Sequence, residues 1–279
     1  MQAPGSSPAS AHPALEVEFA QVSDTGKSRE HNEDYFGYVQ PATPAQAQSH
    51  GWLFVVADGV GGQALGEVAS RTAAESLLSN FRQSPGGESH AALLRRLIQA
   101  ANHEVYESGR AASPGGVAMA TTIVACALRY DRAVVAHVGD SRCYRIRHGH
   151  ATALTRDHTV SGEQVRLGIV SAKEGAESGN RHLLSRSLGN DLFVSVDTGD
   201  HMTLAGDVLL LCSDGLHNSV DASDMARLVG PDAHLETAAR NLVALANERD
   251  GGDNITVQLI RVHSVERMGM YRGRPYRLR

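Results

Sequence analysis

Residues Trp52-Leu53-Phe54-Val55-Val56-Ala57 are an uninterrupted apolar run. A strand of that make-up has to be covered on both faces, so the sheet that contains it needs a packed layer on each side. Leu15 to Val22 and Tyr35 to Gln40 read as strands before it, with a surface loop predicted over Pro41 to His50. Two amphipathic helices are predicted after it, one over Gly66 to Phe81 and one carrying Leu93, Leu94, Leu97, Ile98, Ala101 and Val105 on a single stripe.

A strand meander is then predicted over Thr122 to Leu128, Ala133 to Val138, Cys143 to Arg147 and Ala151 to Leu154. Polar helical sequence follows over residues 159–180 and reads as a flap lying over the body. Further strands are expected over Phe193 to Val196, Val208 to Cys212 and Asn254 to Val262, and helices over Asp221 to Val229 and Leu235 to Asn247. Strands gathered in two clusters, each followed by helices, do not make a regular βαβ alternation. They predict an α+β fold, a four-layer α-β-β-α sandwich of two antiparallel sheets flanked by helices. One domain is expected over 15–263, preceded by a disordered leader over 1–14 and followed by an Arg-rich solvated tail over 264–279.

Composition narrows the function. The chain has 279 residues, 26 Lys+Arg against 31 Asp+Glu and a formal net charge of -5, which argues against a nucleic-acid partner. The longest run without charge or strong polarity, Val117 to Leu128, is too short to cross a bilayer. No apolar leader precedes Lys27, and Cys126, Cys143 and Cys212 sit apart in apolar runs as buried thiols do, so the expected location is the cytoplasm. Nothing in the sequence requires more than a monomer.

One local pattern carries the chemistry. Core strands run directly into an Asp beside a Gly at Asp58-Gly59, Gly139-Asp140 and Asp214-Gly215, and Gly252-Asp253 leads into a strand. Each alone is an ordinary turn. At the ends of one set of sheets they would converge, and two carboxylates about 4 Å apart repel by roughly 4 kcal/mol at an effective dielectric near 20, which calls for protonation or a cation. All-oxygen ligands favour a hard divalent ion such as Mg²⁺ or Mn²⁺ over zinc. A rival reading takes Gly59-Val60-Gly61-Gly62-Gln63-Ala64 as a dinucleotide-binding turn, but the acidic residue about 20 positions on, Glu75, falls in a predicted helix.

The segments Arg29-Glu30-His31-Asn32-Glu33-Asp34, Ala57-Asp58-Gly59-Val60-Gly61-Gly62, Ala120-Thr121-Thr122, Val138-Gly139-Asp140-Ser141-Arg142, Thr155-Arg156-Asp157-His158, Arg186-Ser187-Leu188-Gly189, Ser213-Asp214-Gly215 and Gly252-Asp253-Asn254 stand in the order seen in another family. Over residues 16–262 the chain resembles the compact bacterial branch of the metal-dependent Ser/Thr protein phosphatases, type 2C. The resemblance implies hydrolysis of phosphoserine and phosphothreonine in proteins by direct attack of a water shared by two Mn²⁺ or Mg²⁺ ions, with a weaker third ion. Carried over by position, Asp58 would bridge the ions, the Gly59 carbonyl would serve one, and Asp214 and Asp253 the other. Glu33 and Asp34 would hold metal-bound waters, Asp140 with Asp214 would offer the third site, and Arg29 would grip the phosphate. Partners would be phosphoproteins and a cognate Ser/Thr kinase. Some members carry a His where Val60 stands, so the proton donor to the leaving oxygen is unassigned, with a metal-bound water as the candidate, and Ala120 replaces a usual Gly. A catalytically silent phosphoprotein sensor is the alternative; it would be expected to have lost these carboxylates.

Overall fold

The computed structural model describes residues 15–60, 64–112, 119–180, 182–271 and 274–277. The leader over 1–14 lies outside them, as do Gly61 to Gln63 of the dinucleotide-like turn. The apolar run is the core of β3 (Trp52–Val60), which pairs antiparallel with β2 (Asp34–Val39) and β5 (Ile123–Arg129). The sheet continues through β6 (Arg132–Val138) to β9 (Asp197–Met202), and β4 (Ala120–Thr121) pairs with the end of β3. A second antiparallel sheet has the order β1 (Glu16–Asp24), β11 (Ile255–Ser264), β10 (Val208–Cys212), β7 (Arg142–Arg147) and β8 (His150–Ala153). With antiparallel neighbours on both sides of β3, the parallel crossover a dinucleotide fold requires is absent there.

The two-residue alternation along the strands sorts side chains into three apolar layers. Leu53, Val55 and Ala57 face α2 (Ala64–Gln83) and α3 (His90–Ala112), whose stripes Ala69, Ala73, Leu77 and Leu94, Ile98, Val105 complete that layer. Phe54 and Val56 point the other way and meet Leu209, Leu211 and Ile260 between the sheets. Leu210, Val257 and Leu259 face outward onto α6 (Asp214–His217), α7 (Ala222–Leu228) and α8 (Leu235–Arg249). Burying each Val, Leu, Ile or Phe among them contributes about 1.5–3 kcal/mol, so both sheets are held on both faces, as the sequence of β3 demanded.

Three expectations are corrected. The predicted loop over Pro41 to His50 contains α1 (Pro44–Ser49), begun by Pro44 and capped by Thr43, whose Oγ1 accepts from the Gln46 amide at 3.2 Å. The strand predicted over Phe193 to Val196 lies instead at β9, immediately after it. Phe193 is 77% exposed, while the polar Asp197–Met202 segment takes the sheet edge beside β6, where the ladder and not apolar burial defines the strand. The tail carries a two-stranded sheet of β12 (Met268–Tyr271) and β13 (Arg274–Arg277) where only solvated chain was expected. The flap is helical as predicted, with α4 (Val160–Arg166) and α5 (Ala172–Glu177) capped by Thr159 and Ser171.

Candidate active site

Strand ends deliver the acidic side chains to one edge of the sandwich. Asp34 opens β2 and is paired in register with Asp58 near the end of β3. Asp140 follows β6, Asp214 follows β10, and Asp253 precedes β11. Together with Arg29 and Glu33, the last four of these aspartates line one cavity of about 380 Å³; Gly59, Val60, His182 and Leu183 complete much of its wall. Of the predicted residues only Asp34 is not on the lining. It is 8% exposed and sits behind the cavity, its Oδ2 accepting a hydrogen bond from Ser213 Oγ at 2.7 Å.

The Asp-Gly turns are built for close approach. A Cβ on Gly59 would collide with the carbonyl of Gly66 and lie 2.8 Å from that of Glu33, whose oxygen already accepts from the Gly59 amide at 3.1 Å. Gly139 has φ +104, and a Cβ there would lie 2.6 Å from Thr122. The backbone of Asp58 is clamped from β4 and the residue after it: Thr121 Oγ1 and the Thr122 amide each donate to the Asp58 carbonyl at 2.8 Å. The Asp58 carboxylate is thereby aimed into the cavity by main-chain bonds it does not itself make.

Electrostatically the cluster is undercompensated. Burial, then the charges of Asp34, Asp214, Asp140 and Asp253, push the Asp58 carboxyl well above the ordinary carboxylate range. Burial raises Asp34 to about 7 even though Thr256 and Ser213 hydroxyls oppose it, and Asp140 to about 7, with Asp214 the next cause. Burial and Asp253 raise Asp214 to about 6. Against this stands Arg29, whose Nη2 bonds Asp253 Oδ2 at 2.8 Å. Asp34 Oδ1 is buried with no hydrogen-bond partner among the described residues. An all-oxygen set of repelling carboxylates with an orphaned buried oxygen fits hard divalent cations, which satisfy the lone pairs and lift the repulsion together.

Among the described residues the one group whose ligand atoms lie within 4.8 Å of one another is a different one: His137, His158 and Asp197. Its hydrogen bonds argue against a metal. The Gly139 amide donates to His158 Nδ1 at 3.2 Å, which leaves the proton on Nε2, 3.4 Å from Asp197 Oδ2. His158 is fully buried and fastens the Gly139-Asp140 turn. Arg142 is likewise engaged, in a bidentate pair with Asp157 at 2.8 and 2.6 Å.

Sequence reasoning passed over the neutral supports. Asn254 Oδ1 accepts from the Glu33 amide at 2.8 Å, and Ser213 Oγ links Asp34 to the Thr256 amide at 2.7 and 2.9 Å. Their only signal was position, directly beside Asp253 and Asp214. His182 on the cavity wall gave no signal at all, because the flap has no fixed register to the strand ends in the sequence.

The protein phosphatase 2C family profile matches residues 25–248. The chain is 34% identical over 257 residues to the serine/threonine phosphatase stp of Listeria innocua, covering 90% of this chain and 96% of that one. Its fold is similar to the Streptococcus agalactiae serine/threonine phosphatase, with a TM-score of 0.79 and 31% identity over 88% of this chain and all (100%) of that one. A second similar structure, with a TM-score of 0.74 and 31% identity over 89% of this chain and 99% of the other, is the catalytic domain of the phosphatase PstP in complex with 2 manganese ions.

Proposed function

The chain belongs to the protein phosphatase 2C family, and from that premise we propose how its acidic cavity carries out the family's reaction. The protein is a metal-dependent serine/threonine phosphoprotein phosphatase. The observation that carries the assignment of residues is the meeting of Asp58, Asp140, Asp214 and Asp253 with Arg29 in one cavity. A silent sensor reading would need these groups lost, and they are all in place.

Asp58 and the Gly59 carbonyl would hold one Mn²⁺ or Mg²⁺ ion, and Asp58, Asp214 and Asp253 a second. Asp140 with Asp214 would offer a weaker third position, and Glu33, with Asp34 behind the cavity wall, would hold metal-bound waters. When bound, the ions supply a nucleophile from water near neutral pH and offset phosphoryl charge. Ser213 and Thr256 hold Asp34 in one rotamer through the hydrogen-bonded chain described above. The half-exposed Arg29 stands at the cavity wall, its Nη2 bonded to Asp253, and its guanidinium suits a phosphoryl oxygen there. Its partners are phosphorylated proteins and, by implication, the kinase that modifies them. Among the described residues no helix is long and apolar enough to cross a membrane.

The test is turnover of a phosphothreonine peptide with manganese by wild type and Arg29→Ala. The variant is expected to raise KM by about 10-fold, the equivalent of roughly 1.4 kcal/mol of lost charge-assisted hydrogen bonding, with a smaller change in kcat. Unchanged KM and unchanged kcat would remove Arg29 from the site.

A further inference from the structure

A serine or threonine alkoxide is a strong base and has to take up a proton as its bond to phosphorus breaks; a positioned acid that supplies one contributes about 10²–10⁴-fold. The groups already assigned do not provide it. Val60, beside the Asp58-Gly59 turn, is 38% exposed and has no proton to give. Arg29 does not deprotonate and is bonded to Asp253. Thr122, Ser187 and Asn190 on the wall are not acids near neutral pH, and the carboxylates are the groups proposed above to hold the cations and their waters.

We propose that His182 is the general acid of this phosphatase, donating its imidazolium proton to the leaving serine or threonine oxygen from the flap side of the cavity. Among the described residues that line the cavity it is the one imidazole, the side chain whose ordinary titration falls near neutral pH. It lines both the catalytic cavity and the adjoining space beneath the flap, and it shares with Asp140 the boundary where the two meet. Its side chain is exposed, and the backbone immediately after it is held. Leu183 and Leu184 run antiparallel to the start of the flap, with the Val160 amide donating to the Leu183 carbonyl and the Ser185 amide to the His158 carbonyl, both at 2.8 Å.

The step balances. Water attacks phosphorus and releases one proton to solvent; the bond from phosphorus to the seryl oxygen breaks with both electrons left on oxygen. The imidazolium proton goes to that oxygen, and the neutral imidazole is reprotonated by solvent. The inference rests on the phosphatase reading given above.

The experiment compares wild type, His182→Gln and His182→Asn, with manganese, on a phosphoserine peptide and on p-nitrophenyl phosphate, whose phenolate leaves with little need of a proton. Both variants are expected to lose about 100-fold in kcat on the peptide and less than about 3-fold on the aryl ester, with thermal midpoints at the wild-type value. Equal losses on the two substrates would make His182 structural, and no loss on the peptide would dismiss it as the donor; either result overturns the inference. Wild type that turned over neither substrate would instead overturn the phosphatase assignment on which the inference depends.

Discussion

Asp58→Asn is expected to lower kcat on a phosphothreonine peptide by at least about 10³-fold while leaving the fold intact, because it removes the charge proposed to hold both cations and changes almost no volume. The clamp on this residue is made to its main chain by Thr121 and Thr122, so the turn survives the substitution. A second, opposite effect distinguishes this from damage. Asp58 sits among Asp34, Asp214, Asp140 and Asp253, all of which disfavour its charged form. Neutralising it relieves that repulsion, so in a chelator the variant should melt at or above the wild-type temperature. Near-normal turnover, or a lower melting temperature without metal, would contradict the account.

Phe54→Ala should destabilise the protein by about 3–5 kcal/mol in denaturant-induced unfolding. Phe54 is fully buried in the layer between the sheets, and it anchors a group of rings in a chain otherwise poor in them. Phe19 lies 5.5 Å away edge-on, Trp52 6.0 Å and Tyr38 6.2 Å away, both stacked. Nothing flexible stands nearby to fill the space, because both sheets are also pinned on their outer faces by helices. Phe193→Ala is the contrast: at 77% exposure it should change stability by less than about 0.5 kcal/mol. Comparable losses for the two would mean that the inter-sheet layer does not hold the sandwich together.

The layered architecture was legible because β3 and β10 are apolar on both faces, which forces a sheet between two packed layers, and because the helices that follow β3 and β10 carry single apolar stripes. β9 was misplaced for the converse reason: an edge strand of Asp197–Met202 is defined by its ladder to β6 and has no apolar alternation to read. α1 was missed because it buries no residue and is specified by Thr43 and Pro44 alone. In the site, carboxylates announced themselves by ending core strands beside glycine. Residues that serve them through neutral hydrogen bonds, such as Ser213 and Asn254, have no periodicity and become visible only when β10 and β11 are paired. His182 depends on how the flap folds back across the edge of the sandwich, a long-range relation that no local pattern encodes.

Calorimetric titration of manganese into the metal-free chain and into its Asp58→Asn and Asp253→Asn variants tests the central claim most directly. Wild type should take up about two ions with measurable heat, and each variant should lose at least one of them. Absence of heat in wild type, or uptake in both variants that matches wild type because the ion sits elsewhere, for instance at His137, His158 and Asp197, would show that the aspartates at the strand ends do not form a metal centre.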